Sequence, residues 1–239
     1  MKPALLKRAG IGLAGACLVS GSVMANSIAL EEVVVTAQRK AESLQDAPIS
    51  IAAFSSDALE KKGISNLVDL RANVPNLQLT PHPNSATTAR AYMRGVGNND
   101  DQVTQDPSVA VYMDGVYLAR NLGLAQEVAD IERIEVLRGP QGTLYGRNAT
   151  GGAINVITKA PTPEAIEFSQ KFSAGNFDYF RSKTSLNLPL GERLAAKLAY
   201  MTMQKDGFVD NAGSGVDRFG DRDRQAWRLD LLWDVSDAI

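Results

Sequence analysis

Residues 139–152 carry the most suggestive spacing in the chain, because Gly139, Gly142, Gly146, Gly151 and Gly152 punctuate a polar stretch between two apolar runs. Glycine at this density marks backbone that turns through positive φ or admits another surface closely, and one use of such a loop is to cradle phosphate. Gly146 and Gly151 have the right spacing, but Gly152 and Ala153 stand where that chemistry needs a lysine and a hydroxyl for phosphate and magnesium. Gly139-Pro140-Gln141-Gly142 matches a clamp for RNA backbones. A net charge of −2, from 25 basic and 27 acidic residues, argues against a nucleic-acid partner. His82, the only histidine, lies between Pro81 and Pro83 without further ligands nearby, so it reads as a solvated loop residue rather than a metal ligand. Asn98, Asn99, Asp100, Asp101 and Asp106 form a polar loop that could face a ligand but lack the glycine and distal glutamate of a calcium loop. No serine, histidine and acid stand at nucleophilic spacing, so no enzyme, cofactor or metal site is expected.

The elements around this loop begin with a leader. Lys2, Lys7 and Arg8 precede a weakly apolar run ending in Val23-Met24-Ala25, the order of a secretory signal cleaved after Ala25. Loss of Cys17 with that leader leaves a mature chain without cysteine, hence without disulfides or thiolate metal ligands. In Glu31-Glu32-Val33-Val34-Val35-Thr36-Ala37-Gln38, four consecutive β-branched residues favour extended backbone. That segment suits either addition to a partner's sheet edge or the first strand of the domain. Residues 49–54 read as a strand, Ser55-Ser56-Asp57 as capping candidates, 58–62 as a helix ended by Gly63, and Ser65-Asn66 as the start of a second helix stopped by Pro75. Short strands at 77–80 and 91–94 flank a loop with Pro81 and Pro83, and Asp114-Gly115 joins a hairpin of 109–113 and 116–118. Asp130 is expected to cap a helical turn carrying Ile131 and Ile134, before strands at 134–137 and 153–158 enclose the glycine loop. This mixture indicates an α+β domain.

After residue 163 the pattern changes to period two. Phe168, Gln170, Phe172 and Ala174 alternate with polar neighbours, as do Phe180, Ser182, Thr184, Leu186 and Leu188. A tight connection at 189–192 leads to Leu194, Ala196, Leu198 and Tyr200, and a polar loop at 206–224 leads to Trp227, Leu229, Leu231 and Trp233 set against Arg228 and Asp230. Strands of about ten residues with one apolar face, joined by alternating short turns and long loops, fit an outer-membrane barrel. A soluble β-sandwich shares the alternation, but aromatics at both ends of the last strand favour the membrane.

Four stretches carry a family resemblance: Glu32-Val33-Val34-Val35-Thr36-Ala37, Tyr92-Met93-Arg94-Gly95-Val96-Gly97, Val111-Tyr112-Met113-Asp114-Gly115-Val116, and residues 131–140 (IERIEVLRGP) with 142–159. In that order they resemble the TonB box and plug motifs of TonB-dependent outer-membrane receptors. The resemblance implies a leader (1–25), a periplasmic segment with the TonB box (26–40), an α+β plug (41–162), and the first antiparallel strands of a transmembrane β-barrel (163–239). About four strands fit there, against about 22 in plugged transporters, so the chain is expected to be an incomplete fragment without transport activity of its own. With only a short stretch before the box, no additional periplasmic signalling domain is expected.

The implied function is TonB-energised uptake of a scarce ligand across the outer membrane of a Gram-negative bacterium. A ferric siderophore is the default, with cobalamin, haem or a glycan as alternatives; the ligand-binding residues are not legible. The implied partners are TonB with its inner-membrane complex, through Glu32, Val33, Val34, Val35, Thr36 and Ala37, and outer-membrane lipid. Arg94 and Arg138 match plug arginines that pair with acidic groups on the inner barrel wall. Gly139, Gly142, Gly146, Gly151 and Gly152 then belong to a gating loop packed against that wall. A truncated, plug-like periplasmic binding module is the alternative function.

Overall fold

The computed structural model describes residues 33–82, 85–98, 105–120, 123, 130–213, 215 and 217–235. The expected leader, Glu31, Glu32, Pro83, Asn99, Asp100 and Asp101 lie outside the described residues.

The chain opens with a short antiparallel pair, β1 (Val34–Val35) and β2 (Glu42–Ser43). β3 (Ile51–Ser55) runs into α1 (Ser56–Lys61), whose first turn is capped by the Ser55 hydroxyl accepting from the Ala58 amide at 3.4 Å. The second helix is a 3₁₀ helix, Leu67–Ala72, rather than an α-helix. The Asp69 carboxylate gathers the Ser65 and Asn66 amides into a tight capping box, and Pro75 bars the helix from continuing past Val74.

β4 (Leu77–His82), β5 (Ser85–Met93) and β6 (Val96–Gly97) form an antiparallel sheet in that order. The first two strands extend well beyond the expected 77–80 and 91–94. β4 is an edge strand, so Pro81 can sit in it, opposite Ala89, without removing a ladder bond. His82 therefore ends a strand instead of lying in a loop.

The central sheet contains β7 (Val109–Met113), β8 (Val116–Leu118), β9 (Ile131–Arg138) and β10 (Gly152–Thr158) in the order β3-β9-β10-β7-β8, with β10 parallel to β7 and every other pairing antiparallel. The hairpin has its expected bounds, with Asp114 and Gly115 at φ 48° and 82°. No helical turn carries Ile131: β9 pairs with β10 from Ile131 onward, and Asp130 is a left-handed turn residue at φ 55°. Its three β-branched isoleucine and valine positions outweigh the local capping signal. The glycine loop in turn holds a helical turn that spacing alone did not suggest, α2 (Gly142–Tyr145).

Alternation along these strands covers the sheet on both sides. Phe54, Ile134, Val136, Ile154, Val156 and Val111 face α1, the 3₁₀ helix and β4–β5, while Leu137, Ala153, Ala110 and Tyr112 face Val35, Ala37 and Tyr145. The second cover is thus supplied by the N-terminal segment and the glycine loop.

β11 (Glu167–Gly175), β12 (Tyr179–Gly191), β13 (Leu194–Lys205) and β16 (Arg222–Trp233) form a four-stranded antiparallel sheet, with a small hairpin of β14 (Val209–Asp210) and β15 (Arg218–Phe219) in the long connection. The expected tight turn at 189–192 shrinks to Glu192-Arg193, since β12 continues through Pro189 where its pairing with β11 has already ended at Asn187. Register aligns Phe168, Leu186, Leu198 and Leu229 in one row and Tyr200 with Trp227 in the next. Trp227, Leu229, Leu231 and Trp233 all stand well out of the protein, at 65–75% exposure, while Ala195, Lys197, Ala199, Met201 and Met203 on the other face are buried. Such an apolar outer band with a partly polar inner face is what strands in lipid require.

Candidate functional site

The N-terminal segment is held to the plug sheet by a polar network. Period two sends Val35 and Ala37 inward, both fully buried, and leaves Val34 half exposed at 48%. Between them Thr36 meets Glu135: its amide donates to Oε1 at 2.8 Å and its hydroxyl donates to the same oxygen at 3.2 Å. Glu135 is fully buried, and its compensation comes from several directions. Arg133 Nε donates to Oε1 at 2.9 Å, Asn155 Nδ2 donates to Oε2 at 3.3 Å, and the Arg133 guanidinium also reaches Glu132 and, at 3.3 Å, the Thr36 hydroxyl.

A second anchor follows one residue later. The Tyr145 hydroxyl donates to the Ala37 carbonyl at 2.7 Å and accepts from Asn155 Nδ2 at 2.8 Å. Tyr112 donates to the Tyr145 carbonyl at 2.7 Å and meets its ring edge-on at 5.2 Å, fixing α2. The Arg39 guanidinium then lies over both rings, 5.1 Å and 4.8 Å from their centroids. Burial pushes the Tyr145 hydroxyl above the ordinary tyrosine pKa, with Asn155 opposing and Glu135 adding to the rise, so it remains a proton donor at neutral pH. Together these side chains hold the segment against the sheet.

Of the residues expected to contact a partner, Val33, Val34, Val35, Thr36 and Ala37 sit together in this segment, and Glu32 lies outside the described residues. Val34 and Val35 are already paired with Ser43 and Glu42. Sequence reasoning missed Glu135, Tyr145, Arg133, Asn155, Tyr112 and Arg39. One signal was available: a glutamate between Ile134 and Val136 in an otherwise apolar strand is a buried polar position in need of partners.

The glycine loop packs differently from expectation. A Cβ on Gly152, at φ 152°, would collide with Met93 Sδ and the Leu137 carbonyl, one on Gly151 would lie 2.9 Å from the Val96 carbonyl, and one on Gly139 would lie 2.8 Å from Arg94 Nη1. The close neighbours are therefore plug residues rather than the wall strands β11–β16. Gly142 opens α2 and Gly146 closes it, both in open space. Asp106, expected in a ligand-facing loop, is tied to Arg147 at 2.7 Å and Arg120 at 3.1 Å.

Arg94 occupies a turn at φ 52° with its guanidinium against Gly139, and Arg138 ends β9 with a buried Nε that has no hydrogen-bond partner among the described residues. Among the described residues, neither pairs with a carboxylate of the four-stranded sheet. Instead the plug supplies carboxylates and the wall supplies cations: Asp130 with Lys197 at 2.7 Å, Asp114 with Arg228 at 2.8 Å, and Glu60 with Lys171 at 2.6 Å.

A family model described as the TonB-dependent Receptor Plug Domain matches residues 43–153, covering β2 to the start of β10. The chain belongs to the TonB-dependent receptor family. It is similar to the pesticin receptor of Yersinia pestis, 30% identical over 190 residues that cover 79% of this chain and 27% of that receptor. The catecholate siderophore receptor Fiu of Escherichia coli K12 is 31% identical over 161 residues, covering 65% of this chain and 19% of Fiu. Among solved structures, the ferric yersiniabactin uptake receptor FyuA from Yersinia pestis superposes with a TM-score of 0.69 at 28% identity, over 77% of this chain and 29% of that one. This receptor chain spans between 19% and 27% of the length of these curated relatives.

Proposed function

We propose that the chain is the plug-bearing part of an outer-membrane receptor for TonB-energised uptake of a scarce ligand, a ferric siderophore by preference. The observation that carries this reading is the docked N-terminal strand: a short, β-rich segment anchored by the Glu135 and Tyr145 contacts on a plug sheet. TonB would engage residues 32–37 by strand addition, which uses the backbone and asks little of side chains. With Val35 and Ala37 buried and Val34–Val35 already paired, the segment must undock before it is fully available. The relatives named for siderophore and ferric yersiniabactin uptake support the ligand class. The exposed apolar band of β11–β16 supports placement in the outer membrane after export. Arg94 and Arg138, free of carboxylates among the described residues, are proposed to meet acidic groups of further barrel strands, and the loop at 139–152 to act in gating by holding the segment after the box.

The test is deletion of residues 32–37 from the full-length receptor. Growth on iron-limited medium with ferric catecholate, hydroxamate or mixed chelates should be lost while surface binding of the chelate persists. Unchanged growth would remove TonB engagement of this segment from the proposal.

A further inference from the structure

We infer that Asp114 and Asp130 are fixed anchors that keep the C-terminal strands of the plug attached to the barrel wall while its N-terminal segment is released. This rests on the uptake reading above and adds where the plug does not move. Asp130 Oδ2 lies 2.7 Å from Lys197 Nζ and accepts from the Ser185 hydroxyl at 3.1 Å, with side chains only 15% and 6% exposed for the aspartate and lysine. Asp114 Oδ2 accepts from Arg228 Nη2 at 2.8 Å, and its Oδ1 accepts the Thr158 amide at 2.8 Å and hydroxyl at 3.1 Å. Arg228 is itself oriented by Asp230, 2.7 Å away on the same strand.

Three features separate these contacts from ordinary surface pairing. First, both aspartates sit in turns at left-handed φ, 48° and 55°, a conformation that Asp tolerates better than most residues with a Cβ, so each carboxylate is carried by a fixed turn at a strand end. Second, the Asp130–Lys197 pair is buried, whereas Glu60–Lys171 is more than half exposed on both sides; breaking a buried pair by removing one partner is costly, and an exposed pair contributes little. Third, both anchors flank the covalent exit from the plug. Asn187, almost fully buried on β12, accepts the Thr162 amide at 3.0 Å and donates to the Thr162 and Ala165 carbonyls at 2.8 Å and 2.7 Å, clamping the linker between β10 and β11. The network that holds the N-terminal segment shares no residue with these contacts. Release of that segment therefore leaves them intact, and the plug opens by pivoting on β12, β13 and β16.

The full-length receptor tests this in two arms. Asp130→Asn and Asp114→Asn keep a residue tolerant of left-handed φ but remove the charge; influx of vancomycin through the ligand-free receptor should rise roughly tenfold, and Lys197→Gln should match Asp130→Asn with little further rise in the double variant, a coupling that a merely misfolded barrel would not show. Vancomycin influx unchanged in both aspartate variants, or rising additively when Asp130→Asn is combined with Lys197→Gln, overturns the anchors. In the second arm, Asp130→Cys with Lys197→Cys is bridged by a reducible bis-methanethiosulfonate linker that replaces the reach of the lysine side chain, and growth on the ferric chelates should persist because this contact stays closed. Growth lost on cross-linking and recovered on reduction overturns the pivot. If no chelate supports growth of the unmodified receptor, the uptake reading fails by itself, and the vancomycin arm alone decides the anchors.

Discussion

Replacing Glu135 by Gln tests whether the N-terminal segment is held as a separable unit. Oε1 takes three donors, from the Thr36 amide, the Thr36 hydroxyl and Arg133 Nε, and Oε2 takes a fourth from Asn155. A glutamine must turn an NH₂ toward one of these donors and removes the charge that faces Arg133, whose side chain is only 16% exposed. A hydrogen bond to a charged group contributes about 2 kcal/mol net, so the docked state should weaken roughly thirtyfold relative to the released one. The assay is amide hydrogen exchange in the full-length receptor. The Thr36 amide should exchange roughly thirty times faster, and Thr36→Val, which removes only the hydroxyl contacts, should accelerate its own amide by roughly fivefold. The Ile154 amide, in the middle of the central sheet, reports whether the whole plug has loosened instead. Thr36 exchange unchanged by Glu135→Gln, or changed only in step with Ile154, would refute the idea of a separately held segment.

Other consequences follow from the same geometry. The Tyr145 hydroxyl, its pKa raised by burial, donates to the Ala37 carbonyl, a bond that only the protonated phenol makes, so docking holds the proton. The released state therefore ionises before the docked one, and protection of the Ala37 region should fall as pH rises into the range of tyrosine ionisation, a dependence that Tyr145→Phe abolishes in the same exchange measurement. Gly152→Ala places a methyl against Met93 Sδ and the Leu137 carbonyl at φ 152°; the plug should lose about 2–3 kcal/mol, read as a lowered midpoint in denaturant, while Gly142→Ala, in open space, should be far milder. Leu229→Arg replaces a side chain already 65% exposed, yet should cost about 2–4 kcal/mol if that face meets lipid near the midplane, seen as reduced assembly into outer membranes; full assembly would count against the lipid face.

What was legible from residues alone followed periodicity and turn chemistry. The hairpin at Asp114-Gly115, the Ser55 cap and the four long strands are set by local rules that tertiary structure did not override. The expected helical turn at Asp130 failed because one capping residue was weighed against a strand whose pairing partner, β10, lies beyond the glycine loop and is invisible locally. Strand ends at Pro81 and Pro189 failed for a related reason. Proline forbids only a ladder bond on its own side, and which side is unpaired depends on sheet order. The Thr36–Glu135 and Ala37–Tyr145 contacts join positions about a hundred residues apart, 99 and 108, and no spacing rule reaches that far. The resemblance located the segment, but only the structure located what holds it.

The two covers of the central sheet differ in kind, and the difference suits release of one of them. On one side Phe54, Leu70, Leu79, Met93, Ile134 and Ile154 interlock as large apolar groups, each contributing about 1.5–3 kcal/mol on burial, so that face comes apart only with the whole plug. On the other side the N-terminal segment buries Val35 and Ala37 with Val33 packed beside them, and its remaining attachment is the short β1–β2 pairing, the Arg39 contacts with two tyrosine rings and a handful of hydrogen bonds each contributing about 1–2 kcal/mol. Backbone pairing offered by an incoming strand is of the same order as what those contacts supply, so exchange of one for the other is feasible without touching the first face. Glu135 and Tyr145 satisfy the segment while it is docked and face a polar neighbour, Asn155, when it leaves. The glycines of the loop are what let α2 bring Tyr145 against this sheet, and that is the part they play in holding the segment in place.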